Sequence, residues 1–388
     1  MSAPPSSRAF AVALLPIAAA TFALFFVTGI ALPVLPLHVH DGLGQSAFVV
    51  GLVAGVQFLV SLGSRIWAGG FSDRRGPKQA VIVGLMLAVV AGGLYLVSLA
   101  FLDQPLLSVA ILLAGRGVLG ASESFVITGA QSWALTLAGP KSAGRAIARI
   151  GMAMYLALAI GAPVGSALFE GFGFVAIGIG TMLIPVLVLV AIVPLRPAAP
   201  EPQGERALFA VARAVWLPGL GLALASLGFG AISSFAVLLF VQRGWEPAWL
   251  SFTSFAVFFL AARLLLGHLA DQIGGARVAI VFAGVEALGL ALIWLSPWPA
   301  LGFLGAGLVG CGYSLVYPAL GLESVRRAPP QSRGLAIGVY TAFLDVALGV
   351  LSPLLGILAT GAGLGSVFLA SAVIVALAIP VAWRLMVR

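Results

Sequence analysis

The sequence predicts an all-α integral membrane protein whose twelve transmembrane helices form two pseudo-symmetric bundles of six. Three observations lead there. Of the 388 residues, 61% are hydrophobic and 8% charged, and mean hydropathy is +1.16, outside the range of a water-soluble domain. A bilayer core of about 30 Å needs about 20 apolar residues per helix, and the chain divides into twelve such stretches with short connections. Finally, the stretch Arg65 to Lys78, R-I-W-A-G-G-F-S-D-R-R-G-P-K, returns as R-L-L-L-G-H-L-A-D-Q-I-G-G-A-R at Arg263 to Arg277. Arg65/Arg263, Gly69/Gly267, Asp73/Asp271 and Gly76/Gly274 recur at a constant offset of 198 residues, near half the chain length, so one unit occurs twice. A second register at offset 190 pairs Gly117/Gly307, Gly120/Gly310, Ser124/Ser314, Gly144/Gly334 and Pro163/Pro353.

The expected spans are Ala9 to Leu37, Phe48 to Gly70, Ala80 to Phe101, Leu106 to Leu137, Ile147 to Phe169 and Val175 to Pro194, then Val211 to Val241, Leu250 to Ala270, Val278 to Leu295, Leu301 to Leu322, Leu335 to Thr360 and Val367 to Met386. The first span is too long for the apolar part of a signal peptide and reads as an uncleaved helix. Thr28-Gly29 near its middle and Pro33 and Pro36 near its outer end read either as a bend beside a cavity or as helix packing through small residues. His38 and His40 follow as an exposed loop pair, two ligands being too few for a zinc site. In the fourth span Arg116 and Glu123 lie seven residues apart, hence on one face. Between the sixth and seventh spans, Pro194 to Arg206 is proline-rich and polar, a linker unlike any other connection. It divides the chain into a first bundle, 1–194, a linker, 195–209, and a second bundle, 210–388. Gly228-Phe229-Gly230 and Ser233-Ser234 in the seventh span echo the small residues of the first. Cys311 alone forms no intramolecular disulfide and reads as a small packing residue. Glu286 and Asp345 stand well inside apolar spans, where charge costs about 3 kcal/mol or more unless paired, wetted or used.

The net charge of +8 sorts by side rather than forming a nucleic-acid patch. With the amino terminus inside, 16 of the 20 basic residues fall in cytoplasmic segments, Arg65, Arg116 and Arg263 lie within helices, and Arg243 alone is on the opposite side. This is the positive-inside pattern, and it places both termini in the cytoplasm.

Gly69, Asp73, Arg74, Gly76 and Lys78 fill every position of G-x-x-x-D-R-x-G-x-K/R, the signature between helices 2 and 3 of the major facilitator superfamily, which the chain therefore resembles. The second copy carries Gln272 where that pattern has Arg. Arg116 to Gly120 and Gly161-Ala162-Pro163-x-Gly165 resemble signatures of the twelve-helix drug/proton antiporter branch. Gly139 to Lys141 and Pro318 to Gly321 look like the YfcJ/YhhS-type bacterial exporters. The resemblance implies the major facilitator fold in a bacterial inner membrane, a functional monomer, and a cytoplasmic gate formed by Gly69, Asp73, Arg74, Gly76 and Lys78 with Gly267, Asp271 and Gly274. It implies peripheral positions for helices 3, 6, 9 and 12, so Glu286 reads as a structural hydrogen-bonder. It also puts Asp345 on a cavity-lining helix. In the 190 register Glu123 matches Tyr313 and Tyr155 matches Asp345. The expected substrate cavity then comprises Arg116, Glu123, Tyr155, Tyr313, Asp345, Phe25 and Phe229, with Asp345 and Glu123 coupling protons.

Phosphate-binding glycine loops, metal-ligand clusters and a G-x-S-x-G elbow are missing from the sequence. The expectation is therefore no enzyme, no cofactor, no metal and no nucleic acid, but a transporter in the lipid bilayer whose partners are protons and a small-molecule substrate. A proton-coupled antiporter exporting a small organic molecule by alternating access leads. Uptake of a sugar or similar polar solute is the alternative within transport, and a membrane-embedded enzyme or receptor the alternative outside it.

Overall fold

A computed structural model describes residues 7–138, 143–195, 208–328 and 333–387. These are helical throughout apart from short connections, with no strand among them. The helices are α1 (Ser7–Ala31), α2 (Ala47–Arg75), α3 (Pro77–Ser98), α4 (Pro105–Ala138), α5 (Ala143–Phe172), α6 (Phe174–Ile192), α7 (Leu208–Ala231), α8 (Leu250–Leu266), α9 (Gly275–Leu295), α10 (Pro299–Arg327), α11 (Arg333–Ala362) and α12 (Leu364–Ala376). With their continuations, eleven spans among the described residues are long and apolar enough to cross a membrane, and α8, at 17 residues, is a shorter apolar helix. The Gly139 to Lys141 motif and all but the edges of the expected linker lie outside the described residues.

Several expected spans are interrupted, the last of them dividing into α12 and a final helical segment, Ala378–Val387. The first ends at Ala31 and passes through a turn into Leu35–Leu37 and a π-helical turn, His38–Gly42. Pro33 supplies no N–H and its ring crowds the carbonyl four residues back. The expectation of an exposed His38/His40 pair fails for His38, which this turn carries inward to 6% exposure. His40 is exposed, and its Nδ1 lies 2.7 Å from the Gln45 carbonyl. The seventh span runs through a π-helical turn, Ile232–Ala236, into Val237–Gln242. The eighth breaks at Gly267 and His268, then resumes as Leu269–Ile273.

Contacts divide the chain into two compact units, Met1–Ala31 with Val60–Gln203 and Leu32–Leu59 with Gly204–Arg388. In the first unit α1 and α5 cross at glycines: a Cβ at Gly161 would lie 3.0 Å from the Gly29 Cα, and one at Gly165 would lie 2.5 Å from the Ile30 Cα. In the second unit the first half of α2 packs on α11 in the same way, a Cβ at Gly55 falling 2.8 Å from the Gly349 carbonyl oxygen. That close approach groups Leu32–Leu59 with α11.

The duplication is visible as repeated contacts. Gly76 and Gly274, which precede α3 and α9, share a positive φ of 93°, a conformation open to glycine at little cost. Ser124 Oγ on α4 donates to the Ser61 carbonyl at 2.6 Å. Ser314 Oγ on α10 donates to the Phe259 carbonyl at 2.8 Å. Both partners of these bonds are related by the two sequence offsets. Likewise Gly129 of α4 packs on the Pro77 carbonyl, and Gly275 packs on the carbonyl of Ala319.

Candidate functional site

In the first unit, α4 is held in rotation by the serines flanking Glu123. Ser122 Oγ donates to the Gly84 carbonyl of α3 at 2.7 Å, and Ser124 is bound to α2. At about 100° per residue, Glu123 is thereby turned toward neither α2 nor α3, and it is half-buried, as is Tyr155 on α5. Arg116, two turns earlier on the same face, is 1% exposed and heads the fully buried side chains by volume. Phe25 of α1 is 7% exposed and belongs to the apolar core with Leu24, Leu119 and Val126.

In the second unit, two of the expected cavity residues meet. The rings of Phe229 and Tyr313 stack 5.7 Å apart at an interplanar angle of 8°. Phe259 lies 6.2 Å from Tyr313 and Phe255 lies 5.7 Å from Phe229, forming an aromatic cluster that the sequence reading did not name. Its signal was available, because Phe255 and Phe259 stand four apart on one face of α8. Asp345 on α11 is 1% exposed. Glu286 on α9 is fully buried, yet neither carboxyl oxygen has a hydrogen-bond partner among the described residues. The expected role of structural hydrogen-bonder is therefore not what the structure gives it.

The signature residues take distinct places. Gly69 and Asp73 are half-buried and Arg74 is exposed at the end of α2, while Lys78 is buried at 5% exposure. Its Nζ donates to the Val193 carbonyl at 2.7 Å and to that of Leu195, closing the carboxyl end of α6. In the second unit Gly267 sits at the break of α8 and Asp271 is exposed. Arg263 is half-buried and donates to the Ser314 carbonyl at 3.2 Å, tying α8 to α10. Arg243, which follows the seventh span, donates to the Ile293 carbonyl at 2.8 Å and the Trp294 carbonyl at 3.1 Å. Partial burial lowers its pKa from the usual arginine value, though guanidinium remains a cation at any physiological pH. Among the described residues, no three His, Cys, Asp or Glu side chains converge as a metal site.

Two copies of a helical unit, ionisable groups inside apolar spans and the glycine turn at the end of α2 are thus all in place. The sequence pattern of the Major Facilitator Superfamily matches residues 17–252 and again 219–388. The chain belongs to the major facilitator superfamily. An uncharacterized MFS-type transporter of Burkholderia mallei (strain SAVP1) is 42% identical over 377 residues, covering 96% of this chain and 92% of that protein. The uncharacterized MFS-type transporter YhhS of Escherichia coli K12 is 38% identical over 368 residues, 95% of this chain and 91% of YhhS. Among solved structures, a D-xylose-proton symporter aligns with a TM-score of 0.81 at 14% identity, covering 96% of this chain and 97% of that one. A bacterial homologue of the human lysosomal transporter Spinster, inward-facing and occupied, aligns at 0.74 and 14%, covering 98% of both chains. This superfamily protein is a multi-pass membrane protein of secondary transport, and its relatives by fold include both symporters and Spinster-type transporters.

Proposed function

We propose that this chain is a proton-coupled exporter of a small organic molecule, working by alternating access in the bacterial inner membrane as a monomer with both termini in the cytoplasm. The observation that supports it is the burial of Arg116 and Asp345, each 1% exposed inside an apolar span. Ionic groups there are expensive and mark ion or substrate paths. Asp345 has no basic residue within two turns on its own helix, whereas Glu123 shares a face with Arg116. Asp345 is thus the proton carrier in this reading. Arg116 and Glu123, with Tyr155, Tyr313, Phe25 and Phe229, select the substrate.

A carboxyl removed from water is cheapest as the neutral acid and tolerable as an anion once water or a cationic group reaches it. Access that alternates between the two sides therefore loads and unloads a proton, and a substrate competing for the same state is carried the other way. Residues 1–194 and 210–388, joined by 195–209, are the two repeats that alternate. Gly69, Asp73, Arg74, Gly76 and Lys78, with Gly267, Asp271 and Gly274, gate the cytoplasmic side. The export direction rests on the resemblance of Arg116 to Gly120 and Gly161 to Gly165 to drug/proton antiporter signatures.

The test is transport in liposomes of a solute chosen by a thermal-shift screen, since a ligand of the folded state raises the melting temperature. With Asp345→Asn, counterflow persists and proton-driven accumulation disappears. Full proton-driven transport by that variant overturns the assignment of Asp345. Proton and solute moving in the same direction in the unmodified protein overturns export in favour of uptake.

A further inference from the structure

Glu286 is an ionisable side chain that the proposed transport scheme leaves unused. It is 0% exposed, midway along α9, and neither oxygen finds a hydrogen-bond partner among the described residues. The seam around it is shaped by two glycines. A Cβ at Gly228 of α7 would collide with Oε1 and lie 3.0 Å from the carboxyl carbon, and one at Gly312 of α10 would lie 2.5 Å from the Glu286 Cβ.

The duplicated unit supplies an internal control. At offset 198, Glu286 corresponds to Ala88, itself fully buried, and at offset 190, Gly312 corresponds to Ser122. One copy places Ala88 and Ser122 where the other places Glu286 against Gly312, so the helix crossing itself requires no carboxyl. Among the described residues, the elements packed against α9 bring no cation to this depth; Arg263 of α8, on another face of α10, is bound to the Ser314 carbonyl. Residues 214–242 of the seventh span and 299–322 of α10 carry no charge, the last span has none before Arg384, and α9 itself offers only Arg277, about 13 Å along the axis. Of the titratable groups of α10, Tyr313 stacks on Phe229, Tyr317 packs against Tyr340, Glu323 pairs with Arg326 and Arg327 at the end of the helix, and Cys311 is a free thiol. A neutral acid is the form that such a site accepts. Leucine or methionine would fill the seam without the cost of an unpaired polar group. On the other side of the seam, α7 is the deformable wall, with Pro218 inside it, Gly228-Phe229-Gly230 at the contact and the π-helical turn Ile232–Ala236 directly after.

We propose that Glu286 is a proton-binding site within the second unit, holding its proton as the neutral acid while Gly228 and Gly312 close on it and releasing it when α7 shifts away from α9 and α10. In release the O–H bond breaks, its electron pair stays on the carboxylate oxygen, and the proton passes to water admitted by the shift; closure reverses each step. This deepens the proton-coupled reading above by adding a carboxyl to Asp345, and its test is independent of transport.

The experiment is infrared spectroscopy of the full chain in lipid bilayers, for the unmodified protein, Glu286→Gln and Asp345→Asn. The probe is the proton, stepped from about pH 5 to about pH 10 in light and heavy water. The expected result is a carboxylic-acid C=O band that is absent in Glu286→Gln, present in Asp345→Asn, shifted in heavy water and reversibly lost toward high pH. Absence of any band dependent on Glu286 overturns the proposal, as does a band indifferent to both pH and deuterium. Gly228→Ala, which presses a methyl group on the carboxyl, keeps the test open should Glu286→Gln fail to insert: a displaced band supports the site and an unmoved one overturns it. Failure of the exporter reading would instead appear as transport without proton coupling while the infrared band remains.

Discussion

Gly165→Ala tests the α1–α5 crossing on which the placement of Phe25 and Tyr155 depends. The added Cβ would collide with the Ile30 carbonyl oxygen and stand 2.5 Å from the Ile30 Cα and 2.6 Å from its carbonyl carbon. Ordinary carbon–carbon contact is about 3.5–4.0 Å, so the two backbones must part by about 1 Å, and neither can rotate away as a side chain would. Insertion of a methyl into a packed seam costs about 1–3 kcal/mol. Gly151→Ala, on the same helix, is the control, because a Cβ there meets nothing within 4 Å. It should be neutral or gain up to about 1 kcal/mol from helix propensity. The assay is thermal unfolding followed by tryptophan fluorescence. For a unit of about 175 residues, each kcal/mol moves Tm by about 2–4 °C. Gly165→Ala should therefore melt roughly 4–8 °C lower at the centre of the range, and Gly151→Ala at or slightly above the unmodified protein. Equal melting of the two variants would refute the close approach of Gly165 to Ile30.

Lys78→Met removes the donor to the Val193 and Leu195 carbonyls and should cost about 2–4 kcal/mol, with Lys78→Arg losing less; equal losses in denaturation curves would show that these bonds do not hold α6. Arg263→Gln frees the Ser314 carbonyl and should lower stability by about 1–2 kcal/mol without blocking membrane insertion, checked by cell fractionation and melting. Tyr313→Ala empties the stack on Phe229 at about 3–5 kcal/mol, whereas Tyr313→Phe keeps the ring and should stay within about 1.5 kcal/mol; similar losses would mean that the hydroxyl, not the ring, carries the contact.

The fold was legible because its evidence is local. Apolar length sets the spans, and the glycines at positions 76 and 274 betray a turn that only a residue without Cβ takes cheaply, which is why both copies show the same φ. Pro33 announced a bend, but that the bend would carry His38 inward depended on what packs around it. Glu286 escaped for the same reason: periodicity places a carboxyl on a helix face, but its partners come from other helices, and here Gly228 and Gly312 offer none. Lys78 read as a signature residue, while its carbonyl partners lie more than 110 residues away. The grouping of Leu32–Leu59 with the second unit rests on the contacts of Gly51 and Gly55 with α11, which no local pattern encodes.

The cations at helix ends bear on how this protein tolerates extraction. The last carbonyls of a helix have no partner within it and carry the negative end of its dipole; in a bilayer they usually lean on headgroups and interfacial water. Here Lys78 takes those at the end of α6, Arg243 those at the end of α9, and Arg327 that of Leu385 in the final helical segment. Exchange of lipid for detergent strips away headgroups but leaves these internal donors in place. The ends of α6, α9 and the final segment should accordingly keep slow amide deuterium exchange in micelles, and solubilisation damage should begin at helix ends that have no such cation.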